Sequence, residues 1–185
     1  MSQKQCEEIE LAARFLREIG HADVRLEAGD RPDVVALIDS ERVGIEVTQF
    51  HADEQAGVKG SALRAEEVKN VKDSGGRPYS QWGVANPLPG LVARINEKIS
   101  VAAAYDKTGY EELWLLISSQ LPKIGASIST FAFAPFVNVT NLNKATHMQL
   151  CGSSFSAAHF HLMMSHCVYS WSRSEEWHVT KASET

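Results

Sequence analysis

The chain predicts an α/β fold with helices against a mixed central sheet. An amphipathic helical pattern opens it, two β-branched runs then follow each other closely, and a nearly continuous apolar run comes after a second helical segment. In residues 3–19, Cys6, Ile9, Ala13 and Leu16 form one stripe with Ala12, Phe15 and Ile19 beside it, and Gly20 is a normal helix stop. Glu7, Glu8 and Glu10 border this stripe. Acids this early in a helix complement its dipole, which accounts for at least one of them without any chemistry.

Residues 33–38, Asp-Val-Val-Ala-Leu-Ile, read as a short strand, and the polar stretch 39–42 as the connection of a hairpin. The second strand spans 42–50. Alternation along it places Glu46 and Thr48 on one face and Ile45, Val47 and Gln49 on the other. Residues 61–72 have helical character, and Asp73-Ser74-Gly75-Gly76-Arg77-Pro78 ends it, so about 51–88 is expected to be an insertion containing an aromatic loop around Trp82. From Pro89 onward, Leu91, Ile95, Lys98, Ala102 and Tyr105 recur at helical steps. Residues 111–118 predict a buried strand at the centre of a three-layer arrangement. Phe131-Ala132-Phe133, a short helix at 141–150 and a hairpin from 159–164 and 167–171 extend this core as one domain, 1–185.

Composition excludes several classes. The 185 residues are enough for a proper core without staples, and no apolar run approaches the length of a membrane span. The N-terminal residues carry no apolar signal segment, which places the protein in the cytoplasm as an expectation. Cys6, Cys151 and Cys167 form an odd set without CxxC spacing and are expected to be reduced thiols in cores. The chain has no phosphate loop of P-loop type, no dinucleotide fingerprint, no HExxH and no GxSxG elbow. His159, His161 and His166 lack a carboxylate or cysteine at ligand spacing, so a structural role is expected for them. His51, just beyond the second strand, either touches a phosphate or caps the strand.

Asp33 and Glu46 carry the chemistry. Twelve residues separate them, both lie in otherwise apolar strands, and a tight hairpin brings the start of one strand beside the middle of the other. Two carboxylates in such a place repel unless a cation lies between them. An all-oxygen site of this kind suits Mg²⁺ or Mn²⁺, with the Val47 carbonyl as a third donor.

Pro32-Asp33 and Glu46-Val47-Thr48, with the opening helix that bears Glu7-Glu8, resemble the PD-(D/E)XK nuclease superfamily. Gly44-Ile45-Glu46-Val47-Thr48, Phe50-His51 and Gly60-Ser61-Ala62-Leu63-Arg64 resemble, more narrowly, a group of its prokaryotic members, a likeness that brings no substrate with it. The resemblance covers roughly the first two thirds of the chain. It implies a restriction-endonuclease-like core of helix, three strands, helix and strand. It also implies metal-dependent hydrolysis of nucleic acid by a DNA endonuclease, with Asp33, Glu46 and Glu8 at the metal.

The motif lysine is replaced by Thr48, which carries no charge. Superfamily members can hold the lysine on the neighbouring helix, and Lys98 lies on such a segment. It is expected either to act in catalysis or to snorkel to solvent over its own methylenes. A net charge of -5 argues against indiscriminate coating of nucleic acid, although Lys59, Arg64, Lys69, Lys72 and Arg77 outnumber Glu66, Glu67 and Asp73 in one stretch. The alternative is an inactive nuclease-fold protein that binds nucleic acid or a protein partner, with Arg42 or hydrogen bonds holding Asp33 and Glu46. A nuclease that cuts both strands of a duplex often works as a homodimer.

Overall fold

The computed structural model describes residues 1–50, 86–119, 137–163 and 167–181. The expected insertion lies outside them apart from its last residues, as do His51, Trp82, the basic stretch 59–77, Phe131-Ala132-Phe133 and His166.

The chain begins with α1 (Gln3–Glu18), whose first turn is closed by a capping box: the Ser2 hydroxyl accepts from the Gln5 amide and the Gln5 side chain accepts from the Ser2 amide. At the other end, Gly20 has φ +100, its N–H donates to the Arg17 carbonyl and the His21 N–H donates to the Leu16 carbonyl. These two bonds close the helix end on a left-handed residue that glycine adopts without a Cβ clash.

Then come β1 (Arg25–Ala28), β2 (Val34–Ile38) and β3 (Glu41–Phe50), paired antiparallel in order. The hairpin between β2 and β3 is tighter than the sequence suggests. Ile38 already pairs with Glu41, and only Asp39 and Ser40 turn the chain, both at positive φ, 49 and 75. Two left-handed residues in succession match the right-handed twist of the flanking strands.

Helix α2 (Leu88–Ala102) leads into β4 (Glu112–Ser119), which runs parallel to β3. After α3 (Val139–Cys151), β5 (Ala157–Leu162) adds parallel to β4, and β6 (Cys167–Ser172) and β7 (His178–Lys181) follow antiparallel. The result is a seven-stranded mixed sheet in the order β1 to β7, with β4 in the middle as its apolar run implies.

Strand alternation sorts the core onto the two faces. Val34, Ala36, Val43, Ile45, Val47 and Leu116 pack with Leu11, Ala12, Phe15 and Leu16 of α1. Phe50, Leu115, Ile117, Phe160 and Trp171 pack with Leu91 and Ile95 of α2 and Leu142 and Leu150 of α3. Trp177 closes one end, its indole N–H donating to the Thr146 hydroxyl at 2.9 Å.

Three expectations need correction. The buried stripe of α1 is Glu8, Leu11, Ala12, Phe15 and Leu16, so Cys6 faces outward. The cysteines are unbridged, but Cys6 and Cys151 are exposed, and only Cys167, partly covered, packs against a core cluster. The sheet also runs one strand further than expected, because β7 pairs with β6. Among the described residues no helix is long and apolar enough to cross a membrane.

Candidate active site

Asp33 and Glu46 meet because of hairpin register. Val34 pairs with Ile45, so one step back along β2 places Asp33 across from Glu46. The approach depends on two small details of the chain. The Gly29 N–H donates to the Asp33 carbonyl at 2.8 Å, and a Cβ on Gly29 would lie 2.2 Å from the Pro32 carbonyl oxygen. Gly44 leaves room for Pro32 and Tyr110, since a Cβ there would stand 2.7 Å from the Pro32 ring and 3.0 Å from the Tyr110 ring. Glycine at both positions lets the segment before β2 lie down on β3 and hold Asp33 in place.

Both carboxylates are almost wholly buried, Asp33 at 7% exposed and Glu46 at 3%. One oxygen of each is committed. Asp33 Oδ2 accepts from the Val47 N–H at 2.9 Å, and Glu46 Oε1 accepts from Lys98 Nζ at 2.7 Å. The second oxygens differ in use: Asp33 Oδ1 is 3.6 Å from Lys4 Nζ, and Glu46 Oε2 is buried with no partner among the described residues. A buried carboxylate oxygen without a donor costs free energy, and a cation would remove that cost.

Of the two expectations for Lys98, snorkelling is not what the side chain does. Lys98 comes from α2 on the same face of the sheet as Glu46, its side chain is 19% exposed, and its ammonium turns inward to the carboxylate. Removing one partner of so covered a pair costs about 3–5 kcal/mol, because the other charge is left stranded. Thr48 is buried two residues after Glu46, so β3 places a hydroxyl there while the positive charge comes from α2.

From the opposite face, α1 supplies Glu8. Of the three acids near the start of the helix, Glu8 is the buried one, and its Oε1 is 2.9 Å from Lys4 Nζ. Burial pushes the Asp33 carboxyl above its ordinary value and Glu8 adds to this, while the Val47 N–H, Lys98 and Lys4 pull the other way. Lys4 is raised, chiefly by its hydrogen bond to Glu8, with burial opposing and Asp33 helping. The Tyr105 phenol is also raised, first by burial and then by the Glu46 carboxylate beside it.

Every donor here is oxygen. The Val47 carbonyl shares the direction of its N–H, toward the end of β2 where Asp33 sits. By donor chemistry, Asp33 Oδ1, Glu46 Oε2 and this carbonyl are the oxygen atoms that could hold a hard divalent ion such as Mg²⁺ or Mn²⁺, with Glu8 on α1 as a further carboxylate. No three His, Cys, Asp or Glu side chains among the described residues stand together as a complete metal cluster. Mg²⁺ characteristically takes one or two carboxylates and fills its shell with water and phosphate oxygens.

Sequence reasoning singled out Asp33, Glu46, Val47, Glu8 and Lys98, and the structure brings their elements to one end of the β2–β3 pair. It missed Lys4 and Tyr105 as neighbours of the site. Two signals were present: Lys4 stands one helical turn before Glu8, and Tyr105 continues the three- and four-residue spacing of Leu91, Ile95, Lys98 and Ala102, although the helix itself ends at Ala102. Arg42 does not hold the acids, because its guanidinium bonds the Gly109 carbonyl at 2.8 Å and Glu27 at 3.4 Å.

His159 and His161 are buried and engage neighbouring side chains, and His166 lies outside the described residues. His161 Nε2 is 2.7 Å from Glu18 Oε2, and His159 Nδ1 is 3.1 Å from the Ser170 hydroxyl, with Phe15 and Trp114 against its ring. A cavity of about 580 Å³ beside Trp114, His159, Ser170 and His178 shares none of the acids of the site. Comparison of the chain with family models, with curated proteins and with solved structures found no match.

Proposed function

We propose that the protein is a metal-dependent phosphodiesterase acting on nucleic acid, a DNA endonuclease on a restriction-endonuclease-like core. The observation that carries this reading is the inward-turned Lys98, 2.7 Å from Glu46, beside a Glu46 Oε2 that no donor among the described residues meets at hydrogen-bond geometry, with the Tyr105 phenol beside the same carboxylate. The order α1, β1, β2, β3, α2, β4 among the described elements supports it, being the order that the resemblance to PD-(D/E)XK nucleases implies.

Asp33, Glu46 and the Val47 carbonyl would hold Mg²⁺ or Mn²⁺, and Glu8 would assist from α1. When bound, the ion would acidify a water molecule and neutralise charge on the phosphate. Lys98 fixes Glu46 through Oε1, and Oε2 would be the oxygen offered to the ion. Its ammonium is also the charge available to position the water or to meet negative charge developing on phosphorus. The Val47 N–H fixes Asp33 in the same way, so both carboxylates are oriented before any ligand arrives.

The alternative is a nuclease-fold protein that binds nucleic acid or a partner without cutting. It is favoured by one feature: Lys4 and Lys98 already offset most of the charge of Glu8, Asp33 and Glu46. Supercoiled plasmid incubated with Mn²⁺ separates the two. Nicking by the wild type that is lost in Glu46→Gln and Lys98→Met supports the enzyme, whereas plasmid retardation without nicking, unchanged in both variants, supports the binding protein.

A further inference from the structure

Lys4 faces the two carboxylates that, on the metal reading, would help to hold a divalent ion. Its ammonium is 2.9 Å from Glu8 Oε1 and 3.6 Å from Asp33 Oδ1, and the other Asp33 oxygen is already taken by the Val47 N–H. The oxygen of Asp33 left for an ion is therefore the one that Lys4 faces. Glu8 and Asp33 are nearly covered, but the Lys4 side chain is 76% exposed on the first turn of α1, so it can swing into water without disturbing the core. Two cations cannot share these oxygens cheaply. Lys98 does not compete in the same way, because it holds the opposite oxygen of Glu46 from that left unpartnered.

We propose that Lys4 is an internal competitor for the divalent ion: its ammonium and the ion occupy the Glu8–Asp33 oxygens by turns, so that Lys4 sets the ion concentration at which the site loads. This rests on the metal reading of the site given above. It assigns Lys4 a place outside the reaction itself, as a residue that neutralises the empty carboxylates and leaves when the ion enters. In the absence of the ion the ammonium relieves repulsion between Glu8 and Asp33. Removing it raises the free energy of the ion-free site and so tightens ion binding.

Calorimetric titration of Mn²⁺ into wild type, Lys4→Met, Lys4→Arg and Arg17→Met tests this without reference to activity. Methionine keeps the apolar stem without the charge, arginine keeps the charge, and Arg17 is a charge on the same helix more than three turns away. Lys4→Met is expected to bind Mn²⁺ about two- to fivefold more tightly than wild type, the scale of one exposed ion pair given up. Lys4→Arg should return toward the wild-type affinity, and Arg17→Met should match it. Equal or weaker binding by Lys4→Met overturns the competition while leaving the metal site standing, and an equal gain in Arg17→Met overturns it in favour of a general field effect. No Mn²⁺ binding by any of the four removes the metal reading and the competition together.

Discussion

Two buried ionisable side chains in this protein pull its stability in opposite directions with pH. Asp33 is raised above 3.8 by burial, against the Val47 N–H, so the folded protein binds more protons than the unfolded chain between 3.8 and the raised value. Stability contributed by this group is therefore lost as pH rises through that window. Asp33→Asn keeps an oxygen for the Val47 N–H and removes the charge. Melting temperatures of wild type and variant from acid to neutral pH should show a difference in favour of Asn that grows with pH. A less stable variant at neutral pH would mean that the ionised carboxylate is well satisfied in the fold.

His159 behaves in the reverse sense. Burial, with a smaller contribution from His178, lowers it to about 3 from 6.5. Between those values the unfolded chain binds the extra proton, so stability is present above the window and is lost as pH falls through it. His159→Phe, set between Phe15 and Trp114, is expected to flatten the acid side of the stability curve at the cost of the Ser170 hydrogen bond. An unchanged acid slope in the variant counts against this account.

Among the elements, the β2–β3 hairpin was the most legible and α1 the least. The hairpin announces itself because β-branched alternation and a short polar turn leave one register that buries Val34, Ala36, Ile45 and Val47 together, and that register brings Asp33 across from Glu46. The stripe of α1 was misplaced because Cys6 and Ala13 are as apolar by type as the residues that really face the sheet, and a buried glutamate sat inside the true stripe. Glu8 stands at helical spacing from Leu11, Ala12 and Phe15, but a charged side chain is not counted into an apolar stripe. The closeness of Pro32 to Gly44 was equally hidden, since it joins the segment before β2 to the interior of β3. Gly44→Ala tests its importance: the added methyl meets Pro32 and Tyr110, and overpacking of this kind costs about 1–3 kcal/mol. Chemical denaturation should report that loss, and Mn²⁺ affinity should fall with it because Pro32 carries Asp33. Full retention of both would separate the site from this contact.

At the scale of the molecule, the α/β class and the central position of β4 followed from its unbroken apolar run, whereas β1 and β7 left little trace. Both are four-residue edge strands, and Arg25-Leu26-Glu27-Ala28 and His178-Val179-Thr180-Lys181 contain too few apolar residues for alternation to show. Their pairing is set by the neighbouring strand. The sheet joins the two halves of the candidate site: α1 brings Glu8 to one face, α2 brings Lys98 to the other, and β2 and β3 bring the two acids between them. Thr48 carries no charge, and only the packing of α2 on the sheet shows that the Lys98 ammonium reaches Glu46.

The most direct test of that arrangement is calorimetric titration of Mn²⁺ into the wild type and Asp33→Ala, with the same samples then incubated with supercoiled plasmid. The predicted result is Mn²⁺ binding and nicking in the wild type, both lost in the variant. A wild type that neither binds Mn²⁺ nor nicks the plasmid would contradict the proposed site.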